Sequence, residues 1–262
     1  MNTKVSGAQL VLVEIKRLGK NNFPTVENIA NRVIKYIDFA PAQYLPGTAA
    51  TGTTSASDMF LTLVHEYGNT EIQRNIPLER YNYASTNGVR QAVCSKLDLR
   101  SCYIDCQNAS MVGTTAAFVF WYDLPEYSSR NTTDTLVTDS VSVQLQNAIR
   151  YNMLPDADRL VGKRFRRILL SAPTVTPDMY PGIALADTKN LYLTLRKGSY
   201  NVVENLPIYL LYQLQMLSKT EFANIIFDFQ SSYITIGGAG TIPTVQTDYI
   251  GKSVFLNVVV EK

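Results

Sequence analysis

The chain is poor in the residues that carry most enzymatic chemistry. Its 262 residues include one histidine, three cysteines and one tryptophan. A duplicated cupin, the nearest enzymatic alternative among β-sandwich proteins, builds its metal site from two or three imidazoles and a carboxylate. His65 beside Glu66 is too little for that. A Ser-His-Asp or Cys-His arrangement would have to use the same His65, and no nucleophile elbow marks the sequence. His65 therefore reads as a hairpin-turn residue. Cys94, Cys102 and Cys106 are odd in number, and their spacings of eight and four lack the close pair of a zinc knuckle. They read as reduced packing residues. No catalytic, cofactor-binding or metal-ligating residue is expected, and the chain is not expected to be an enzyme.

Charge is sparse as well. Charged residues make up 18%, and 24 Lys+Arg against 22 Asp+Glu leave a net charge of +2. No field of that size gathers a nucleic-acid backbone, so no direct sequence-specific nucleic-acid binding is expected. The densest basic run, Lys163, Arg164, Arg166 and Arg167, reads as a solvated strand face. Long apolar runs are missing too, since none approaches the ~18 residues of a membrane span. Gln9 to Val13 is interrupted by Glu14 and Lys16 and followed by no small-residue cleavage site, so it reads as a strand, and folding in a cytoplasm is expected. Without a secretory signal the sequons at Asn108 and Asn131 carry no weight. What is present is a core: 46% of residues are hydrophobic, and a chain of this length buries roughly three quarters of its unfolded surface.

The order of the residues is that of a tandem repeat. Phe60-Leu61-Thr62-Leu63 recurs as Tyr192-Leu193-Thr194-Leu195, and the same offset of 132 lays Ile29–Tyr36 over Val161–Ile168 and Ala40-Pro41 over Ala172-Pro173. After the next turn the offset is 130. Asn75-Ile76-Pro77-Leu78 falls on Asn205-Leu206-Pro207-Ile208, and Leu97 to Ile104 falls on Phe227 to Ile234 with four of eight positions identical. The two lost residues lie in the turns Val64–Thr70 and Arg196–Ser199, where length changes are tolerated best. Residues 128–135 are small and polar and make a junction, giving a first domain at 1–127 and a second at 128–262.

Within each copy the dominant period is two. Phe60–Leu63, Leu97–Leu99, Tyr103–Ile104, Ala117–Tyr122, Leu191–Leu195, Ile225–Phe229, Tyr233–Ile236 and Ser253–Val260 read as strands, as do Gln9–Val13 and Val141–Leu145. Short helices are expected in Val26–Tyr36, leading into a strand, and in Ile208–Lys219, opened by Pro207. Seven or eight strands in about 130 residues is the size of an antiparallel jelly-roll sandwich. The expected fold is all-β: two tandem antiparallel jelly-roll β-sandwiches with short helices.

Two consecutive sandwiches, each with a Phe60–Leu63-like strand, a hairpin and the Asn75–Leu78 block, resemble the double jelly-roll major capsid proteins of tailless icosahedral viruses, the tectivirus, corticovirus and adenovirus lineage. Neither copy has room for the tower loops of larger members, so the resemblance is to the compact corticovirus-like type. It covers nearly the whole chain and rests on architecture and repeat layout. It implies a structural protein forming homotrimers whose six jelly rolls make a pseudo-hexagonal capsomer of an icosahedral phage virion. It further implies contacts with neighbouring capsomers, with penton and minor capsid proteins, and in membrane-containing relatives with an internal lipid vesicle, after assembly in the host cytoplasm.

Three features need a reading beside it. Asp98 and Asp228 are equivalent, and accepting backbone hydrogen bonds explains both better than a carboxylate pair converging on one cleft. Gly237 to Gly240 lacks the Gly-Lys-Ser/Thr of a phosphate loop and reads as a surface loop available for capsomer contacts. Sixteen tyrosines, among them Tyr81, Tyr83, Tyr122, Tyr127, Tyr180, Tyr209, Tyr212 and Tyr249, suit protein–protein interfaces, and they equally suit the alternative of a carbohydrate-binding or receptor-binding, spike-like or lectin-like sandwich.

Overall fold

Strand follows strand because alternating and continuous Val, Ile, Phe and Tyr runs are cut at short intervals by Gly, Pro, Asn and Asp. A computed structural model describes residues 4–40, 45, 56–67, 70–82, 92–123, 136–147, 151–155, 160–170, 185–211, 221–222, 226–237 and 249–261. Its strands are β1 (Lys4–Val5), β2 (Gly7–Glu14), β3 (Gly19–Asn22), β4 (Val33–Phe39), β5 (Met59–Val64), β6 (Glu71–Pro77), β7 (Ala92–Ser95), β8 (Tyr103–Cys106) and β9 (Thr115–Asp123). They continue with β10 (Leu136–Gln144), β11 (Asn152–Met153), β12 (Phe165–Leu170), β13 (Leu191–Lys197), β14 (Tyr200–Pro207), β15 (Glu221–Phe222), β16 (Asp228–Ile236) and β17 (Ser253–Glu261). The chain is all-β, with sandwich-like sheets.

The chain divides into two compact units, one of residues 8–43 and 50–124, the other of residues 1–7, 44–49 and 125–262. In the first unit the strands run β2-β9-β4-β7 in one sheet and β3-β8-β5-β6 in the other. β9 sits centrally because Ala116 to Trp121 is a continuous apolar run, and all of it is buried. The sheets meet through aromatic rings. Phe23, just past β3, lies 5.4 Å from Phe118 and 5.8 Å from Phe120 of β9, ring centre to ring centre. In the second unit the orders are β10-β17-β12 and β11-β16-β13-β14, with β15 beside β12 and the N-terminal β1 running parallel to β15. Phe165 of β12 meets Phe229 of β16 at 5.5 Å.

The internal repeat is a repeat of register. Leu61 faces Ile104 in β5–β8, and Leu193 faces Ile234 in β13–β16. Phe60 faces Pro77 in β5–β6, and Tyr192 faces Pro207 in β13–β14. The Asn75 and Asn205 positions explain why the Asn-x-Pro block survives in both copies. Each asparagine sits at a one-residue register shift with φ of 50°, the left-handed region asparagine tolerates better than most residues. Each gives its N–H to a fully buried threonine hydroxyl, Thr62 or Thr194, at 3.1 Å. Past the prolines the chain turns helical, as a 3₁₀ turn at Leu78–Tyr81 and as helix at 208–211; the rest of the helix expected at Ile208–Lys219 lies outside the described residues.

A further equivalence was hidden by an offset of 131. Asn21 and Asn152 are buried, face Ile104 and Ile234 in their ladders, and clamp the preceding loop with both ends of the amide. Asn21 Oδ1 accepts from Lys16 N at 2.9 Å and Arg17 N at 3.2 Å, and Asn152 Oδ1 accepts from Gln146 N at 2.7 Å and Asn147 N at 2.9 Å. Between β8 and β9 the offset grows from 130 to 138, yet the last turn is the same. Gly113 and Gly251 take φ of 88° and 83° and donate to Ile15 O and Leu145 O at 2.7 and 2.8 Å.

Three expected elements differ. Leu97–Leu99 is not a strand: Leu97 makes one bridge to His65, and Asp98 to Ser101 turn back, with Ser101 and Cys102 N–H both on Asp98 O. The strand expected from Ile225 begins at Asp228. The helix expected in Val26–Tyr36 shrinks to a 3₁₀ turn at Glu27–Ile29, because the left-handed Asn31 stops it before β4.

Removing the Thr194 hydroxyl strands a buried N–H, so Thr194→Val should cost about 1–3 kcal/mol. Asn205→Val should cost about 1–2 kcal/mol through backbone strain, while Asn205→Gly stays near neutral. Denaturant unfolding midpoints of the full chain measure all three, and equal midpoints for the valine variants and the parent would refute the latch.

Candidate functional site

The residues with the most chemical potential are used by the framework. His65 Nδ1 accepts Tyr67 N–H at 3.0 Å and His65 N–H closes the turn onto Thr70 O at 2.8 Å, so the ring serves the hairpin. Cys94 is exposed on β7, whereas Cys102 and Cys106 are buried. Asp98 and Asp228 do accept backbone N–H groups, but from different partners. Asp98 takes Arg100 N at 3.2 Å and the Ser101 hydroxyl at 2.6 Å; Asp228 takes Gly198 N at 2.8 Å. The difference follows from the turns: Gly198 in the second unit takes φ of 58° and offers its N–H to the carboxylate.

Cys102 and Ser232 show how two residue types fill one role. Cys102 Sγ accepts from Val64 N at 3.2 Å, and Ser232 Oγ accepts from Arg196 N at 3.0 Å, the equivalent strand position. Both plug the point where the ladder beside β5 or β13 lets go. Burial pushes the Cys102 thiol up to about 11, partly offset by the Val64 backbone bond. Burial also raises the Tyr81 and Tyr192 phenols.

Two surface readings of the sequence change. Arg166 is buried rather than solvated, so the basic run does not form one wet face. Tyr81, Tyr122 and Tyr249 are core residues; Tyr249 accepts from the Asn190 amide at 2.8 Å. Tyr83, Tyr127, Tyr180, Tyr212, Asn131 and Gly238–Gly240 lie outside the described residues. Among the described residues the exposed tyrosines are Tyr67, Tyr151 and Tyr200. One further buried group, the Asp38 carboxylate, accepts Trp121 Nε1–H at 2.5 Å, which satisfies an acid that burial otherwise penalises.

The second unit carries a recess of about 360 Å³ between Val161, Gly162, Gly198 and the segment Phe227–Ser231. Its polar groups are an aspartate, a glutamine and a serine beside Val161, Phe227 and Phe229, with no histidine, cysteine or lysine among the described lining residues. Such a set binds through hydrogen bonds and contains no base–nucleophile pair.

Thiol reactivity should follow burial: one fast-reacting thiol per native chain, Cys94, and two that react only on unfolding, read with a chromogenic disulfide reagent. Because the folded chain holds the Cys102, Tyr81 and Tyr192 protons more tightly than the unfolded one, these groups add no pH dependence below about pH 8, and stability should fall as pH rises from there towards 11. Cys102→Ser, which copies the second unit, should cost under about 1 kcal/mol, and Cys102→Val about 1–3 kcal/mol by stranding Val64 N–H. Unfolding midpoints at neutral and alkaline pH check these values.

No protein-family model matches the chain, no curated protein is significantly similar to it, and no solved structure matches its fold.

Proposed function

We propose that the chain is the major capsid subunit of a tailless icosahedral phage, a double jelly roll that forms homotrimeric, pseudo-hexagonal capsomers. The observation that carries this reading is the strand order. Lettered B to I in chain order, the first unit reads B-I-D-G against C-H-E-F, the jelly-roll order, and the second repeats B-I-D and C-H-E-F. Duplication within one chain lets three subunits offer six similar sandwiches, and sequence divergence between the copies lets each neighbour meet a different edge. A net charge of +2 adds little lateral repulsion to such a tiling. On this reading the chain resides in the virion, assembles in the host cytoplasm, and meets itself, penton and minor proteins and, in a membrane-containing particle, the enclosed vesicle.

A carbohydrate-binding or receptor-binding sandwich is the second reading, and the recess beside Asp228 favours it, because a carboxylate, an amide and a hydroxyl beside Val161, Phe227 and Phe229 suit a sugar ring.

Light scattering of the purified chain separates the two. The capsid reading requires a stable species near three times the 29.3 kDa chain mass. A monomer at all concentrations, together with glycan binding lost in Asp228→Ala, would replace it with the second reading.

A further inference from the structure

An exposed leucine means little by itself, since folded proteins show many apolar atoms to water. Here the same two loops carry large apolar side chains in both units. In the first unit Leu18 is 54% exposed in the turn 16–20, and Val112 is 40% exposed in the loop 107–114. The turn and loop are tied at Ile15, whose N–H donates to Thr114 O at 2.9 Å and whose carbonyl takes Gly113 N–H at 2.7 Å. In the second unit Tyr151 is 58% and Ile250 41% exposed, and the same pair of bonds is made at Leu145 with Lys252 and Gly251. The surrounding loop sequences have diverged, while outward apolar side chains persist.

The charge around the first tip is one-sided. Residues 16–20 and 107–114 contain Lys16, Arg17 and Lys20 and no carboxylate. Lys16 pairs with Glu14 at 3.1 Å outside the turn. Arg17 Nε donates to Lys20 O, and Lys20 Nζ stands 4.3 Å over the Tyr103 ring, so the stems of both lie along the turn. The acids beside the loops are Glu14, paired with Lys16, Asp58, whose carbonyl takes Gln107 N–H, and Asp105, opposite Lys20 in the ladder.

We propose that this tip, Leu18 and Val112 with Lys16, Arg17 and Lys20 in the Leu18 turn, docks on an anionic lipid bilayer. The two apolar side chains enter the boundary between headgroups and acyl chains, and Arg17 and Lys20 pair with lipid phosphates. A protein partner is the poorer fit. A standard protein interface takes about 20–30 residues a side, and these two loops supply thirteen. A soft charged surface accepts isolated protruding side chains without a complementary socket. The capsid reading already includes an enclosed vesicle; what is new is the site, which does not need that reading: a trimer that ignores vesicles refutes only this proposal, and a vesicle-binding monomer refutes only that one.

The test is flotation of the full chain with vesicles of phosphatidylcholine alone or with phosphatidylglycerol. The chain should float with the anionic vesicles and be released by high salt. Arg17→Gln and Lys20→Gln should each lower partitioning about fivefold, the worth of one cation near such a surface. Leu18→Asp combined with Val112→Asp should lower it roughly tenfold or more, with the melting temperature unchanged, because both side chains already face water. Absence of flotation, equal binding to phosphatidylcholine alone, or full binding by the double aspartate variant would each overturn the proposal.

Discussion

A buried threonine hydroxyl holding the N–H of a left-handed asparagine sets the four-stranded sheet of each unit. The hydrophobic effect brings strands together but has no direction, so it cannot decide whether Phe60 lies opposite Pro77 or one residue away. A one-residue slip would turn the whole apolar set of β6 or β14 to the other face. The latch forbids the slip by placing one extra residue at a fixed point. It also delivers each proline to the strand end, where the chain turns and buries Leu78 or Ile208.

The remaining buried polar groups work in the same way. Asn21 and Asn152 close the loops before β3 and β11, and Cys102 and Ser232 satisfy N–H groups where a ladder ends. Each bond contributes about 1 kcal/mol, small beside the burial of rings such as Phe118 and Phe165. Their effect is on which arrangement forms. Lys20 over Tyr103 and Tyr151 stacked on Tyr233 at 3.9 Å extend the pattern to the surface: one position meets the same tyrosine through a cation in one unit and a ring in the other.

Much of the framework was legible because it is written twice. The Phe60–Leu63 and Asn75–Leu78 blocks align at simple offsets, and their strands and register follow. Asn21 and Asn152 escaped notice because a single asparagine is shared between loops of unrelated sequence, and its role depends on amide geometry rather than on a pattern. Leu97–Leu99 misled through composition: alternating Leu, Asp and Leu looks like a strand, but the Asp98 carbonyl and carboxylate collect the following N–H groups into a turn. Tyr81, Tyr122, Tyr249 and Arg166 were read as surface from residue type, whereas burial is decided by neighbours distant in sequence. At the candidate sites, the scarcity of histidine was readable at once. The recess beside Asp228 and the apolar tips were not, because both arise where separate loops meet.

The growth of the offset from 130 to 138 between β16 and β17 has a practical side. The second unit holds eight more residues than the first between equivalent framework positions, and the closing turn at Gly251 keeps the bonds made at Gly113. The duplication thus contains its own insertion experiment, with the shorter copy as the parent. The loop between β8 and β9 can carry a passenger peptide of similar length at the tip of the sandwich, provided the Gly113 turn and its bond to Ile15 are left whole.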